Sequence, residues 1–215
     1  MIKLYFKQAF HLLKENKLLS SISIIGTALA IAMIMVIVIT LRATIAPFAP
    51  ESYRDRMLIF RYAGFQYKTN ENWQSNGPVS YKTAKACFKD MTTPEAVSIT
   101  SSFAETMLAA KPAGEKVSCS VLQVDDDFWK VFQFDFLSGY PFDKATFDAG
   151  ATKAVITEDI ARQLFGTTDV VGKTFLLNHS AYMICGVVHP VSKLARYAYA
   201  QIWIPLSSTD AFKIG

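Results

Sequence analysis

The stretch LLSSISIIGTALAIAMIMVIVITL, residues 18–41, determines how the chain is organised. It contains no charged residue, and a helix of about 20 apolar residues is long enough to cross the hydrocarbon core of a bilayer. Lys17 and Arg42 flank it. A helix in the core of a soluble protein is usually shorter and has a polar face. The stretch therefore predicts a transmembrane helix over 18–41.

A cleaved signal peptide is the main alternative for this stretch. The apolar core of a signal peptide has about 7–15 residues, and the run over 18–41 is longer. Residues 1–17 form a long leader before it, and Pro47 would hinder cleavage of the chain after Ala46. We therefore expect an uncleaved membrane anchor.

The net charge of +4 belongs to the N-terminal part of the chain. Four lysines and one glutamate precede the apolar stretch, whereas the residues after Arg42 contain equal numbers of basic and acidic side chains. Net charge thus gives no sign of a basic patch for nucleic acid on the folded part, and no nucleic-acid partner is expected. The lysines follow the positive-inside rule, which predicts a cytoplasmic N-terminus and periplasmic or extracellular residues after Arg42.

Residues 1–17 are predicted to form an amphipathic helix. Apolar residues recur at helical spacing over 2–13 opposite a basic face, a pattern typical of helices that lie among lipid headgroups. Within 18–41, Gly26 and Ala30 form a small-xxx-small pair that lets another helix approach closely. We expect this helix to pack against partner helices, whereas a simple anchor would need no such pair.

The rest of the chain is predicted to comprise a linker, 42–56, and one outer domain, 57–215. The outer domain has many short strands and few helices without βαβ alternation, which predicts the α+β class. Predicted strands cover 57–63, 96–100, 105–110, 116–124, 153–156, 173–177, 181–188 and 199–204. A polar loop is predicted over 66–78, and helices over 81–91 after a Ser80 cap, over 125–132, and from a Thr157 cap to Gly166.

Gly172-Lys173-Thr174 resembles the end of a phosphate-binding loop. The complete motif, G-x-x-x-x-G-K-[ST], requires its first glycine one position after Gly166, and it joins a strand to a helix. Here a predicted helix precedes the motif and a predicted strand follows it. We therefore expect no nucleotide site in this chain.

Asp125-Asp126-Asp127 is the other candidate for chemistry, as a metal or acid–base cluster. Neighbouring acids on a helix point in different directions, and acids in a first turn interact favourably with the helix dipole. The triplet is therefore predicted to stabilise the start of a short helix. No zinc-ligand spacing or G-x-S-x-G motif occurs, so the sequence gives no support for an enzyme, a metal site or a cofactor.

Three cysteines are widely separated and include no CxxC motif. Cys119 and Cys185 fall in predicted strands and are the pair to test for a disulfide, whereas Cys87 lies in a predicted helix. The simpler interpretation is that the cysteines are small apolar core residues.

A series of short motifs begins at residue 125. In order, these are DDDFWKVF (125–132), GYPF (139–142), AVIT (154–157), ARQLFG (161–166), VVGK (170–173), GVV (186–188) and IPL (204–206). Their order and spacing resemble the periplasmic core domain of MacB-type permeases, within the FtsX-like family of ABC transporter subunits. The N-terminal part is similar to the first transmembrane segment of that family. The resemblance is strongest over 117–206 and thin over 64–110.

The matched positions are expected to serve the fold and not catalysis. Phe128 and Phe132 are four residues apart on a short helix and are predicted core anchors. Gly166 suits a helix C-cap and Gly172 a turn before a strand. Tyr140 and Pro141 stand where the family often has an arginine after the glycine. The marked positions are Asp125, Phe128, Phe132, Gly139, Phe142, Gly166, Gly172, Gly186 and Pro205.

The resemblance implies the N-terminal part of an ABC permease subunit of the export or mechanotransmission type, located in the cytoplasmic (inner) membrane. It implies three kinds of partner: a separate cytoplasmic ABC ATPase, the remaining permease helices or a second permease copy, and membrane lipid. Permeases of this family continue into three further spanning helices, so we expect a fragment, a truncated product or a split subunit. The alternative is a single-pass anchored sensor or adaptor, such as a regulator of a cell-wall hydrolase.

Overall fold

A computed structural model describes residues 2–67, 70–112, 114–209 and 212. The chain divides into two compact units, Met1–Ala46 and Pro47–Gly215. The helices are α1 (Ile2–Glu15), α2 (Lys17–Ile45), α3 (Tyr81–Phe88), α4 (Phe128–Val131), α5 (Lys144–Asp148) and α6 (Glu158–Phe165). The strands are β1 (Ala63–Tyr67), β2 (Asn70–Gly77), β3 (Glu105–Ala110), β4 (Lys116–Val124), β5 (Phe136–Gly139), β6 (Lys153–Thr157), β7 (Thr174–Leu177), β8 (Ser180–Val188) and β9 (Ile202–Pro205).

The first unit consists of α1 and α2. Helix α2 is 29 residues long, is apolar enough to cross a membrane, and buries none of its residues within the structure. It extends past the predicted end at residue 41. The hydroxyls of Thr27, Thr40 and Thr44 donate to backbone carbonyls one turn earlier, at 2.7–2.8 Å. These three hydroxyls are therefore satisfied within the helix, as a lipid environment requires.

The second unit is built on a seven-stranded mixed sheet in the order β5-β8-β6-β9-β4-β3-β7. Strand β7 also pairs with β8, so six of these strands form a closed ring. Strands β6 and β8 are parallel, as are β4 and β9, and the other pairs are antiparallel. A closed ring removes the exposed edges that would otherwise invite pairing with other chains. This mixed helix-and-strand architecture confirms the predicted α+β class.

One hydrophobic cluster draws side chains from all six strands of the ring and therefore fills its interior. Helix α6 adds Ile160, Ala161 and Leu164 to it. These three residues share one face of the helix because of their spacing. The helix ends at Gly166, whose φ of +73° gives the left-handed cap that glycine adopts without strain.

A second cluster covers the opposite face of the sheet. Trp203 on β9 and Phe128 on α4 are fully buried in it. Alternation along β4 shows the division between the clusters. Cys119 and Val121 belong to the interior cluster, and Leu122 belongs to the second one.

Several predicted elements are confirmed. Strands β3 and β4 form the predicted hairpin with the predicted bounds, although Ala113 at its turn lies outside the described residues. Strands β7 and β8 form the second hairpin, with Asn178 and His179 at φ values of 44° and 76°. Helix α3 begins at the predicted cap, because the Ser80 hydroxyl accepts a hydrogen bond from the Thr83 N–H at 3.2 Å. It ends at Phe88, three residues before its predicted end.

Other predicted elements are wrong. Residues 57–62 form no strand, and β1 begins only at Ala63. The predicted polar loop over 66–78 instead contains most of the β1–β2 hairpin, with residues 68 and 69 outside the described part. Backbone hydrogen bonds between β1 and β2 form this hairpin. Its sequence is mostly polar, so it showed none of the apolar alternation from which a strand is predicted. The predicted strand over 96–100 is reduced to one bridge between Thr100 and Val124, and the last strand begins at Ile202 instead of residue 199.

Candidate functional site

The segment that follows α2 is fastened to the second unit through a buried glutamate. We call residues 47–57 the junction segment. Glu51 is fully buried. Its Oε1 accepts hydrogen bonds from the backbone N–H groups of Tyr197 and Ala198 at 2.7 and 3.1 Å. Its Oε2 accepts a bond from Nε of Arg54 at 2.6 Å. Both carboxylate oxygens are therefore satisfied, which a buried charge requires.

Arg54 extends this arrangement. Only 9% of its side chain is exposed, and the guanidinium also donates to the backbone carbonyl of Leu194. The same group lies 4.3 Å from the centre of the Phe48 ring, which is within cation–π range. Arg54 thus joins two positions of the junction segment to the loop that carries Leu194 and Tyr197.

A second loop holds the junction segment from another side. The backbone N–H of Gln133 donates to the Pro50 carbonyl at 2.9 Å, and its side-chain amide donates to the Tyr53 hydroxyl at 2.8 Å. Phe48 and Met57 pack against the second hydrophobic cluster. The junction segment is therefore part of the core packing and does not behave as a free linker.

Asp125 forms a second buried polar cluster, at the end of β4. It is fully buried, and it accepts hydrogen bonds from the Ser98 hydroxyl at 2.8 Å and the Ile99 N–H at 2.9 Å. The Lys89 ammonium lies 2.7 Å from the Asp125 carboxylate and 2.6 Å from that of Asp127. These contacts join α3, β4 and the segment over 96–100.

The predicted helix-capping role of the aspartate triplet is wrong. Helix α4 begins at Phe128, and its first turn contains no acidic residue. Asp127 occupies the N-cap position without a side-chain capping bond. The carboxylates of residues 125–127 lie within 4.8 Å of one another, close enough to share a metal ion. The Lys89 ammonium already contacts two of them, and Lys130 pairs with Asp127 at 2.7 Å, so the cluster is a structural ion-pair network.

Charge and burial shift the pKa values of this cluster. Burial raises the pKa of Asp125 above its ordinary value, against the opposing hydrogen bond from Lys89. Partial burial disfavours the charged form of Asp127, but hydrogen bonds from Lys130 and Lys89 outweigh it and lower its pKa. Partial burial also disfavours the charged form of Lys89, which lowers its pKa. The hydrogen bonds to Asp125 and Asp127 outweigh this effect and raise the pKa of Lys89.

The sequence from residue 20 to residue 214 matches the family model of the MacB-like periplasmic core domain. The chain belongs to this family. The match includes most of α2 and the whole described part of the second unit. We refer to the second unit as the MacB-like core.

Solved structures with a similar fold come from three bacterial proteins. The periplasmic region of MacB from Actinobacillus actinomycetemcomitans has a TM-score of 0.50 and 13% identity, over 59% of this chain and 55% of that one. The extracellular domain of the noncanonic ABC-type transporter YknZ from Gram-positive bacteria has a TM-score of 0.46 and 18% identity, over 59% of each chain. A domain of a Porphyromonas gingivalis permease has a TM-score of 0.44 and 18% identity, over 55% of this chain and 50% of that one.

At these identities the likeness concerns the fold alone. The chain spans between 50% and 59% of the length of the structures it matches. No protein of curated function matches it.

The marked family positions are distributed through the MacB-like core and do not line one pocket. Phe128, Phe132 and Phe142 meet in the second hydrophobic cluster. Gly166 ends α6 and Gly172, with a φ of +85°, precedes β7. A helix therefore precedes the Gly172-Lys173-Thr174 motif and a strand follows it, as predicted, and the Lys173 ammonium lies 5.6 Å from the centre of the Phe165 ring.

Two of the marked glycines permit close approach of backbone. Gly139 has a φ of +70°, and a Cβ there would overlap the Cys185 carbonyl oxygen. A Cβ at Gly186 would lie 2.8 Å from the Phe136 ring and 2.9 Å from the Tyr140 carbonyl oxygen. These glycines let β5 and β8 pair closely. In the first unit, a Cβ at Gly26 would meet no described atom within 4 Å.

Cys119 and Cys185 lie on opposite faces of the sheet. Cys119 faces the interior cluster, whereas Cys185 packs against the second one. Both are free thiols. Burial raises the pKa of each to about 11. Their placement excludes the disulfide that the sequence left open and supports their role as small core residues.

Proposed function

We propose that this chain is the N-terminal part of an ABC transporter permease subunit, which couples a separate cytoplasmic ATPase to its MacB-like core. Membership of the family and the apolar α2 support this assignment. We also propose that the N-terminus is cytoplasmic and the core extracytoplasmic. The proposed organisation is an interfacial helix over 1–17, a transmembrane helix over 18–41, a linker over 42–56 that is fastened to the core from Phe48 onward, and the core over 57–215.

The burial of Glu51 is the observation that supports the proposed coupling of α2 to the core. A linker that only tethered the core would have no need for a fully buried charge. Breaking a buried ion pair costs about 3–5 kcal/mol, so the junction segment stays fixed to the core while the end of α2 moves. Displacement of that end is then passed to the loop over 194–198 through Glu51 and Arg54.

The remaining roles follow from the same proposal. The ATPase binds on the cytoplasmic side and supplies the hydrolysis of ATP, and this chain catalyses no reaction itself. Other permease helices, or a second permease copy, pack against Gly26 and Ala30 of α2. Lipid headgroups contact the basic face of α1.

Coupling is tested in the permease assembled with its ATPase in lipid nanodiscs. Cys87 is the exposed cysteine of the chain and can carry an environment-sensitive fluorophore. We expect ATP to change the fluorescence of the wild-type protein. Glu51→Gln should keep ATP hydrolysis and lose most of this change. The control is Glu105→Gln, at an exposed strand position.

Two results would contradict the proposal in different ways. An unchanged ATP-dependent signal in Glu51→Gln would refute the role of Glu51 while leaving the permease assignment intact. Failure of any ABC ATPase to co-purify with the wild-type protein would refute the assignment itself. Orientation is tested separately with a phosphatase fused after Gly215, which should be active outside the cytoplasm.

A further inference from the structure

Three titratable side chains lie together where β6 and β8 end and β5 begins. His189 directly follows β8, Glu158 directly follows β6, and Asp135 directly precedes β5. Strands β6 and β8 are parallel and β5 is antiparallel to β8, so these chain positions meet at the same end of the sheet. Val188 is the register partner of both the last residue of β6 and the first residue of β5. The topology therefore places a histidine between two carboxylates.

Each nitrogen of the His189 ring faces one of these carboxylates. Nδ1 lies 3.6 Å from Oε2 of Glu158, and Nε2 lies 3.7 Å from Oδ2 of Asp135. The His189 side chain is 49% exposed, so it can exchange protons with solvent. A charged imidazolium carries an N–H on both nitrogens, whereas a neutral ring carries one N–H and presents a lone pair on the other nitrogen. Loss of the proton therefore replaces one of the two attractions by a repulsion.

Among the described residues, Arg162 is the one other charged side chain that forms an ion pair within this cluster. Its guanidinium lies 2.7 Å from Oε1 of Glu158, the oxygen that does not face His189. The hydrogen bond from Arg162 lowers the pKa of Glu158 below its ordinary value, and the positive charges of Arg162 and His189 act in the same direction. Glu158 therefore keeps its negative charge between about pH 5 and 8, the range in which histidine ordinarily changes its charge.

His189 and Asp135 belong to the two loops that hold the junction segment. The loop after His189 supplies the two backbone N–H groups that bind Glu51. Asp135 lies two residues after Gln133, whose backbone N–H and side-chain amide bind the junction segment from the other side. The backbone N–H of His189 donates to the Asp135 carbonyl at 3.1 Å, and the side-chain pair adds to this bond. The contact between His189 and Asp135 therefore joins the two loops.

We propose that His189 is a pH-dependent latch on the junction segment. Its protonation fastens the loop over 133–135 to the loop over 189–198 through Asp135, while Glu158 holds the ring in place. Both loops then grip the junction segment more tightly, and at higher pH, when the ring is neutral, they separate more readily. The latch lies within the core and does not depend on the permease role. Its consequence, firmer coupling of α2 to the core at acidic extracytoplasmic pH, rests on the proposed function and orientation.

Amide hydrogen exchange of the full chain in lipid nanodiscs tests the latch without the ATPase. The quantity measured is the protection of the backbone N–H groups of Gln133, Tyr197 and Ala198 at about pH 5.5 and about pH 8, corrected for the intrinsic exchange rate. We expect this protection to be about threefold lower at the higher pH. Threefold corresponds to about 0.7 kcal/mol, which lies within the range measured for exposed ion pairs. The β3–β4 hairpin is the internal reference, and its protection should not change with pH.

His189→Gln is the informative variant, because glutamine stays neutral at both pH values and keeps a side chain that can form hydrogen bonds. It should abolish the pH dependence and show, at both pH values, the lower protection of the wild-type protein at the higher pH. Asp135→Asn removes a carboxylate that is 79% exposed and should have the same effect. The matched control is His11→Gln on α1, because His11 also lies 3.6 Å from a carboxylate, that of Glu15. This control should leave the pH dependence unchanged.

Three outcomes would overturn the proposal. The first is protection that does not change with pH in the wild-type protein. The second is a pH dependence that persists in His189→Gln, which would assign it to another titratable group. The third is an equal change in the β3–β4 hairpin, which would show that the whole core responds to pH. Failure of any ABC ATPase to co-purify would refute the permease assignment and would leave the result of this exchange experiment unaffected.

Discussion

The Lys89 ammonium lies 2.7 Å from the Asp125 carboxylate, and Asp125 is fully buried at the end of β4. Lys89 also donates to the Val97 carbonyl at 2.8 Å. This one side chain therefore neutralises a buried charge and fixes the segment between α3 and β3. The pair is a structural element of the MacB-like core.

Lys89→Met should destabilise the core, because it leaves the Asp125 carboxylate buried without its counter-ion. Loss of one partner of a buried pair costs about 3–5 kcal/mol. The free energy of unfolding can be measured in detergent by denaturant titration with tryptophan fluorescence. The matched control is Lys144→Met, which removes an exposed pair with Asp148 and should cost about 0–1 kcal/mol. Equal losses in the two variants would show that the buried pair has no special role.

Cys119 and Cys185 should resist alkylation under conditions in which Cys87 reacts. The thiolate is the reactive form, and burial raises the pKa of both buried thiols to about 11. Because their pKa values are raised, both stay protonated at pH 9 in the folded protein. Iodoacetamide at pH 9 should modify Cys87 alone, and all three cysteines after denaturation. Mass spectrometry of peptides reads the result, and modification of Cys185 in the folded protein would show that its strand opens.

Gly139→Ala should destabilise the core more than Gly166→Ala. Both glycines have a positive φ, near +70°, so alanine is strained at either position by about 1 kcal/mol or more. At Gly139 the added Cβ would also overlap the Cys185 carbonyl, whereas at Gly166 no described atom lies within 4 Å of it. Thermal unfolding measures the stability of each variant. Because both variants share the backbone strain, the difference between them reports the cost of the overlap at Gly139. If Gly166→Ala were the less stable one, the close pairing of β5 and β8 would not explain Gly139.

Gly26→Leu combined with Ala30→Leu should weaken assembly of α2 with other permease helices without preventing membrane insertion. Bulky side chains at these positions would hold backbones apart, and transmembrane contacts of this kind contribute about 1–2 kcal/mol. Co-purification of the partner helices should fall several-fold. The control is Val36→Leu with Val38→Leu, in the other half of the helix. Identical behaviour of the two double variants would favour a simple anchor.

Elements formed by local patterns could be predicted from the sequence. The β3–β4 hairpin and α6 were predictable because alternation, helical spacing and Gly166 are encoded within a few residues. The prediction of a strand over 57–63 was wrong because an apolar pattern shows only that residues favour a strand. It does not show whether another strand is available to pair with them. The β1–β2 hairpin was missed for the opposite reason, since its pairing depends on backbone groups that every residue carries.

The two buried carboxylates could not be assigned from the sequence. Glu51 is bound by backbone N–H groups that are 146 and 147 residues away, and no side-chain pattern marks such partners. Asp125 has the appearance of a helix cap because its neighbours are acidic, and its true counter-ion, Lys89, belongs to another element. The one local signal at Glu51 was its position directly after the apolar run IAPFAP, residues 45–50.

The separation between Glu51 and its partners has a consequence for the order of events during synthesis. Glu51 is made directly after α2, whereas Tyr197 follows 146 residues later. At about 5–20 residues per second, the ribosome needs roughly 7–30 seconds to produce them. Throughout that interval the Glu51 carboxylate lacks the backbone N–H groups of Tyr197 and Ala198 that bind it in the folded core. Closure around Glu51 therefore requires that residues up to Ala198 have been made, so that the junction segment is fastened to the core only late in synthesis.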